Sequence, residues 1–177
     1  TLDVALGNFL DSLGEELGFP FPGLVSIEKI AESGKQILKL PYTVKGQDLS
    51  FSGLYTSALR AIKNGARIED VCLSIVEYSY SMLCEVVERA LAFLGKESVI
   101  LTGGVARSNK LQKMLSIVAS LHSASFHVVP DEYAGDNGAM IAWTGVLMYQ
   151  SGITIPIEES SVRPRWRIDE VDIPWMK

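Results

Sequence analysis

Between Ser98 and Gln150 the chain alternates twice between a short strand-like run and a helical pattern, an order that few folds accept. SVILT (98–102) is a strand-length apolar run, and ARSNKLQKMLSIVASL (106–121) carries apolar positions at helical spacing. SFHVVP (125–130) repeats the strand, and DNGAMIAWTGVLMYQ (136–150) repeats the helix after a loop. Strands alternating with helices predict an α/β fold, here with SVILT as a short buried strand.

The chain before this region reads as mainly helical. Residues 3–17 show helical spacing and stop at Gly18, and the turn-rich GFPFPGL follows. SIEKIAES starts a second helix, halted by Gly34. ILKLPYTV is extended, and Pro41 argues against a central strand. SFSGLYTSALRAIKNG predicts a helix ending at Gly65, and Ile68 to Leu94 a long helix, apolar on most faces and therefore buried. From about Gly152 the tail has little regular pattern and carries PRWRIDEVDIPW.

With 47% apolar residues, the 177-residue chain can build a core. Its formal net charge of −5 does not favour a phosphate backbone, so contact with nucleic acid requires positive charge from partners or from a missing lobe. Cys72 and Cys84 fall inside an apolar helical pattern and are expected as buried free thiols in a reducing compartment. No apolar run reaches the length of a bilayer span. The opening residues show no charged-then-apolar leader, so no secretory signal is expected, and the start at Thr1 leads us to expect a fragment.

Candidate chemistry gathers at two glycine-bearing turns. Gly103 and Gly104 stand where a strand ends and a helix begins. Ligands of open α/β sheets bind beyond such strand ends, and a helix N-terminus offers unpaired N–H groups. A tight turn without a ligand is the other reading of two adjacent glycines. Asp136, between Gly135 and Asn137-Gly138, is placed either to cap a helix or to present a carboxylate to a cation. Asp11 and Glu28 bracket the loop GFPFPGL, where carboxylates accept hydrogen bonds from ribose hydroxyls or simply remain solvated. His122 and His127 lack the spacing of a helical ligand pair and read as structural or surface residues. No nucleophile triad or dyad has support.

LDVALGNFLDSLGEELGFPFPG, LPYTVKGQDLSFSGLYTSA, LTGGVARSNKLQKML, AGDNGAMIAW and PRWRIDEVDIPW occur in this order. Together they resemble the catalytic-subunit family of the KEOPS complex, the archaeal and eukaryotic tRNA threonylcarbamoyltransferases. The resemblance runs from Thr1 to Trp175. It implies an actin-like ATPase (ASKHA) fold of which this chain holds the second lobe with a helical insertion, the first lobe and its paired metal histidines being absent. It implies transfer of a threonylcarbamoyl group from its adenylate to the exocyclic amine of the adenosine beside the tRNA anticodon. An actin-like small-molecule kinase lobe and a non-catalytic docking module are the alternatives.

Residue by residue, the resemblance implies substrate or nucleotide contacts at Asp11, Gly23, Leu24, Glu28, Gly103, Gly104, Ser108 and Asn109, with Asp136 as the one metal ligand. Leu24 stands where the family has a glycine, and Ser108 where it has an asparagine. The implied cofactors are a divalent metal, iron or zinc, and an adenine nucleotide or threonylcarbamoyl-adenylate. The implied partners are KEOPS subunits, including a small kinase-like ATPase, and tRNA through the assembled complex, in the cytoplasm and away from membranes. The expected organisation is a helical cleft-lining segment (1–97), a nucleotide-binding core (98–151) and a docking tail (152–177) with Trp166, Trp175, Arg163, Arg165 and Arg167. The chain alone is expected to be inactive and to hold metal weakly.

Overall fold

The computed structural model describes residues 1–167 and 170–176. Ile168 and Asp169 of the tail motif, and Lys177, lie outside the described residues. The fold is mixed α/β and divides into two units, Thr1–Ala134 and Gly135–Lys177.

The first unit is built round α4 (Ile68–Leu94), the single long helix expected from its pattern. Packed against it are α2 (Gly23–Ala31), α3 (Ser52–Lys63) and α5 (Asn109–Leu121), while α1 (Leu6–Glu16) packs on α2 and α3. Phe9, Leu10 and Leu13 of α1, Ile27 of α2, Leu54 of α3, Ile75 of α4 and Leu111 of α5 are fully buried in one cluster. Phe9 and Phe51 stack with ring centroids 5.4 Å apart. Cys72 and Cys84 are buried and unpaired, and burial first, then Glu69 or Glu88, pushes each thiol up to about 11. Such thiols are packing groups, protonated at neutral pH.

Carboxylates distant in sequence start two of these helices. The first N–H groups of a helix have no intrahelical acceptor. Asp11 Oδ1 accepts the Gly23 N–H at 2.8 Å, so α2 begins at Gly23 rather than at Ser26 as the loop reading predicts. Asp3 accepts the N–H groups of Phe51 and Ser52 at 3.0 and 2.9 Å, and so starts α3.

The extended stretch after Gly34 is not a strand, because a helix satisfies its backbone. Asp70 Oδ1 accepts from Lys35 N and Gln36 N at 2.7 and 3.1 Å, Ser74 Oγ from Leu38 N at 2.8 Å, and Tyr78 Oη from Leu40 N at 3.3 Å. Residues 70, 74 and 78 form one stripe of α4 with steps of about 6 Å. Two residues of extended chain advance about 6.6 Å, so the two repeats match. The only pairing nearby among the described residues is the short antiparallel hairpin of β1 (Val44–Lys45) and β2 (Asp48–Leu49).

These carboxylates make stability pH-dependent. The backbone N–H groups of Lys35 and Gln36 hold Asp70 below the ordinary carboxylate range. Burial acts upward on Asp3, but the hydrogen bonds from Ser50, Ser52 and Phe51 outweigh it and leave this group depressed as well. A depressed folded-state pKa stabilises the fold above the unfolded value and loses that contribution as pH falls through the folded one. The expected result is an unfolding midpoint that drops as pH falls below about 5. Asp70→Asn should flatten that limb, the variant being less stable than the parent at pH 7 and the difference shrinking as pH falls. Thermal melts at several pH values check this, and an acid limb of unchanged steepness would remove Asp70 from the account.

β3 (Ser98–Leu101) and β4 (Ser125–Val128) pair in parallel, with Ser98 opposite Ser125 and Leu101 opposite Val128. α5 crosses between them and covers one face, to which Val99, Leu101 and Phe126 turn. The other face is open, and Ile100 is 66% exposed. The expectation of a buried strand is thus corrected: this unit supplies cover on one side only. The expected helix from Ala106 is also divided. Gly104–Arg107 is a 3-10 turn, Ser108 is extended, and α5 starts at Asn109 because Ser108 Oγ accepts the Leu111 N–H at 3.0 Å. A short helix, α6 (Asp131–Ala134), ends the unit.

In the second unit, α7 (Gly138–Gln150) is apolar around its circumference and buries no residue, with Trp143 65% exposed. The 3-10 turn Pro174–Met176 lies against α7, leaving Trp175 half-buried. The Arg163 guanidinium sits 5.0 Å from the centre of the exposed Trp166 ring. Among the described residues no helix is long and apolar enough to cross a membrane.

Candidate functional site

The expected site residues of the first unit fall mainly around α2 and the start of α5. Asp11 and Gly23 line a cavity of about 590 Å³ together with Asn8, Ser12, Glu15, Phe19 and Phe21. Glu28 and Asn109 line a second, of about 390 Å³, together with Ala31, Glu32, Leu73, Val76, Arg107 and Lys110. Both volumes lie in the range of small-molecule sites, ~300–1,000 Å³.

Glu28 is the centre of a polar cluster. Its Oε1 accepts the Tyr80 hydroxyl at 2.8 Å and a short hydrogen bond from the Ser108 hydroxyl. Tyr80 is completely buried and Ser108 nearly so. Burial, reinforced by the Glu28 carboxylate and opposed by a hydrogen bond from Ser108, raises the Tyr80 phenol well above its ordinary value, so Tyr80 stays protonated and donates to Glu28. Ser108 receives Leu111 N–H on the same oxygen that donates to Glu28. The cluster therefore ties α2, α4 and the start of α5 together and fixes the direction of the Glu28 head. Oε2 has no hydrogen-bond partner among the described residues and belongs to a residue that lines the second cavity.

The two glycines have different reasons to be glycine. Gly103 has φ +96°, a conformation closed to most side chains. Gly104 has no positive φ, and a Cβ built there would meet nothing within 4 Å. It is exposed, so neither backbone geometry nor packing within the chain calls for a glycine. A surface free of side chains beside the strand end admits a ligand to the backbone.

Leu24 is only 8% exposed and packs in the core, because α2 has already begun and its first turn faces inward. Its side chain therefore does not crowd a cleft. Ser108 likewise serves as a buried cap and an orienting donor rather than an arm reaching outward.

In the second unit, Asn137 caps α7, its Oδ1 accepting the Met140 N–H at 2.9 Å. Of the two roles open to Asp136 in the sequence, capping therefore falls to its neighbour, and the Asp136 carboxylate is exposed. His122 Nε2 lies 3.3 Å from Glu88, and His127 Nε2 lies 3.1 Å from Ser125 Oγ. Among the described residues no three His, Cys, Asp or Glu side chains gather as a metal site. A lone carboxylate does not fit iron or zinc, which require further ligands.

Sequence spacing did not single out Tyr80, Arg107 or Lys110. Arg107 and Lys110 follow the glycine turn closely and share the second cavity with Glu28, whereas Tyr80 is recognisable only from its contact with Glu28.

Residues 1–143 match the TsaD family, described as tRNA N6-adenosine threonylcarbamoyltransferase. The chain is 58% identical over 99% of its length to the tRNA N6-adenosine threonylcarbamoyltransferase of Caldivirga maquilingensis, spanning 53% of that protein. It is 50% identical over 99% of its length to a probable bifunctional tRNA threonylcarbamoyladenosine biosynthesis protein of Thermoplasma volcanium, spanning 33% of it. Among solved structures, HypF of T. kodakarensis superimposes with a TM-score of 0.63 at 30% identity, over 84% of this chain and 20% of HypF. The chain thus spans about half the length, or less, of the curated relatives it matches.

Proposed function

From the premise that this chain belongs to the TsaD family of tRNA N6-adenosine threonylcarbamoyltransferases, we propose that it forms about half of such an enzyme and supplies its adenylate-binding side. In fold terms it is the second lobe of an actin-like ATPase, with 1–97 lining the cleft, 98–151 carrying the nucleotide turn and 152–177 docking to other subunits. The observation that carries this reading is Gly104, a glycine required by nothing inside the chain, in the turn that leads to Ser108, whose hydroxyl orients the Glu28 carboxylate.

In the reaction, the exocyclic amine of a tRNA adenosine attacks the carbamoyl carbonyl carbon of threonylcarbamoyl-adenylate. A C–N bond forms, the C–O bond to the phosphate breaks, AMP leaves and the amine loses a proton. The residues of this chain bind and orient. The backbone at Gly103 and Gly104 receives the adenylate, and Oε2 of Glu28 accepts from a ribose hydroxyl. Oδ1 of Asp11 is engaged by Gly23, and its other oxygen accepts from the carbamoyl end. Asp136 alone does not make an iron or zinc site; it would give one ligand to such a metal only together with ligands from outside this chain, and the metal would supply Lewis-acid chemistry there.

The acidic chain acquires tRNA through a complex of KEOPS type, including a small kinase-like ATPase, in the cytoplasm. Support comes from relatives named as bifunctional in the same biosynthesis and from the exposed Arg163–Trp166 pair of the tail. The apolar circumference of α7 and the open face of β3 are covered by the half that the relatives carry in addition.

The test is the product. tRNA from cells depleted of the protein should lose the threonylcarbamoyl mass on adenosine in nucleoside mass spectrometry, and restoring the full-length gene should bring it back. Undiminished modification after depletion would overturn the reading.

A further inference from the structure

We infer that Arg107 is a base-contacting residue, its guanidinium lying against the adenine ring of the nucleotide held in the cavity beside Glu28. The inference rests on the adenylate reading and extends it to a side chain outside the expected set. Arg107 ends the 3-10 turn that follows Gly104. It is exposed, yet not free: one Nη donates to the Asp131 carbonyl at 3.1 Å, which steadies a long side chain at low entropic cost to a ligand. The cavity it lines has an apolar part from Ala31, Leu73 and Val76, and a carboxylate part from Glu28 and Glu32.

That division matches the two parts of a nucleoside. A flat heterocycle favours apolar wall and a planar cation, and ribose hydroxyls favour carboxylate oxygens. Lys110, the other cation of the cavity, is engaged by Glu77 in an ion pair between α5 and α4. Arg107 retains donors and a planar face after its bond to Asp131, so it is the cation equipped for a ring. A purely structural tether to α6 would leave the pattern of ligand discrimination untouched.

Calorimetric titration of adenosine and of AMP separates the possibilities, using the full-length protein, meaning this chain joined to the half its relatives carry. Arg107→Ala should weaken adenosine and AMP by the same factor, about tenfold, as expected for loss of a cation–ring contact. Arg107→Lys keeps the charge and a donor for Asp131 but has no planar face, and should recover only a minor part. Loss confined to AMP, with full rescue by lysine, would make the contact one to phosphate and overturn the inference. Unchanged affinities in Arg107→Ala would overturn it too, leaving the adenylate reading intact. Failure of the parent protein to bind either compound would instead overturn that reading and carry the inference with it.

Discussion

Replacing Glu28 with alanine is expected to destabilise the first unit by about 3 kcal/mol and to weaken adenosine binding at least tenfold. The stability loss follows from what remains behind. Tyr80 is fully buried and its hydroxyl donates to Glu28 Oε1, so removing the carboxylate takes away the acceptor of a buried donor. A stranded buried donor costs about 1–3 kcal/mol, and the loss of the charge-assisted bond from Ser108 adds about 1 kcal/mol. Tyr80→Phe removes donor and demand together and should cost only about 1 kcal/mol. The double variant should therefore be more stable than the two single losses imply, a coupling that a double-mutant cycle in chemical denaturation measures directly. Strict additivity would show that the cluster is not a unit.

Gly23→Ala is the second large effect, and it works through the backbone of α1. An added Cβ would stand 2.6 Å from the Leu10 carbonyl oxygen, 2.9 Å from Asp11 Cα and 3.2 Å from Gly14 Cα. None of these is a side chain that can swing aside, so α1 and α2 must separate. That loosens the core and pulls the Gly23 N–H from Asp11 Oδ1. Overpacking of this kind costs about 1–3 kcal/mol, and the lost cap adds about 1 kcal/mol. Gly104→Ala is the contrasting case, since a Cβ there meets nothing. It should leave the melting temperature within about 2 °C and still weaken AMP binding in the full-length protein. A destabilised Gly104→Ala, or a fully stable Gly23→Ala, would reverse the roles assigned to the two glycines.

The contrast also shows how far residue identity alone carries. In the sequence, the adjacent pair Gly103-Gly104 attracts attention, and Gly23 enters only through a family resemblance. In space, Gly23 is a close-packing residue, Gly103 answers a positive φ, and Gly104 has no internal reason at all. Helix ends behave likewise. Asp136 and Asn137 are both good cap residues by composition, and only the hydrogen bond to Met140 N decides for Asn137. The family resemblance puts Leu24 at a ligand contact, whereas the start of α2 at Gly23 turns its side chain into the core.

What the chain determined by itself was local. The 27 residues of α4, the order of β3, α5 and β4, and the break near Pro41 follow from periodicity and turn chemistry, which act between neighbours. What tertiary structure alone decided was the employment of each polar group. Glu28 meets partners 52 and 80 positions away, and Asp70 carries the backbone of residues 34 and 35 positions earlier. Such contacts leave no period in a sequence, because they exist only once helices from distant parts of the chain have packed. Their energy depends on burial, and burial is a property of the folded assembly of elements and not of any one of them.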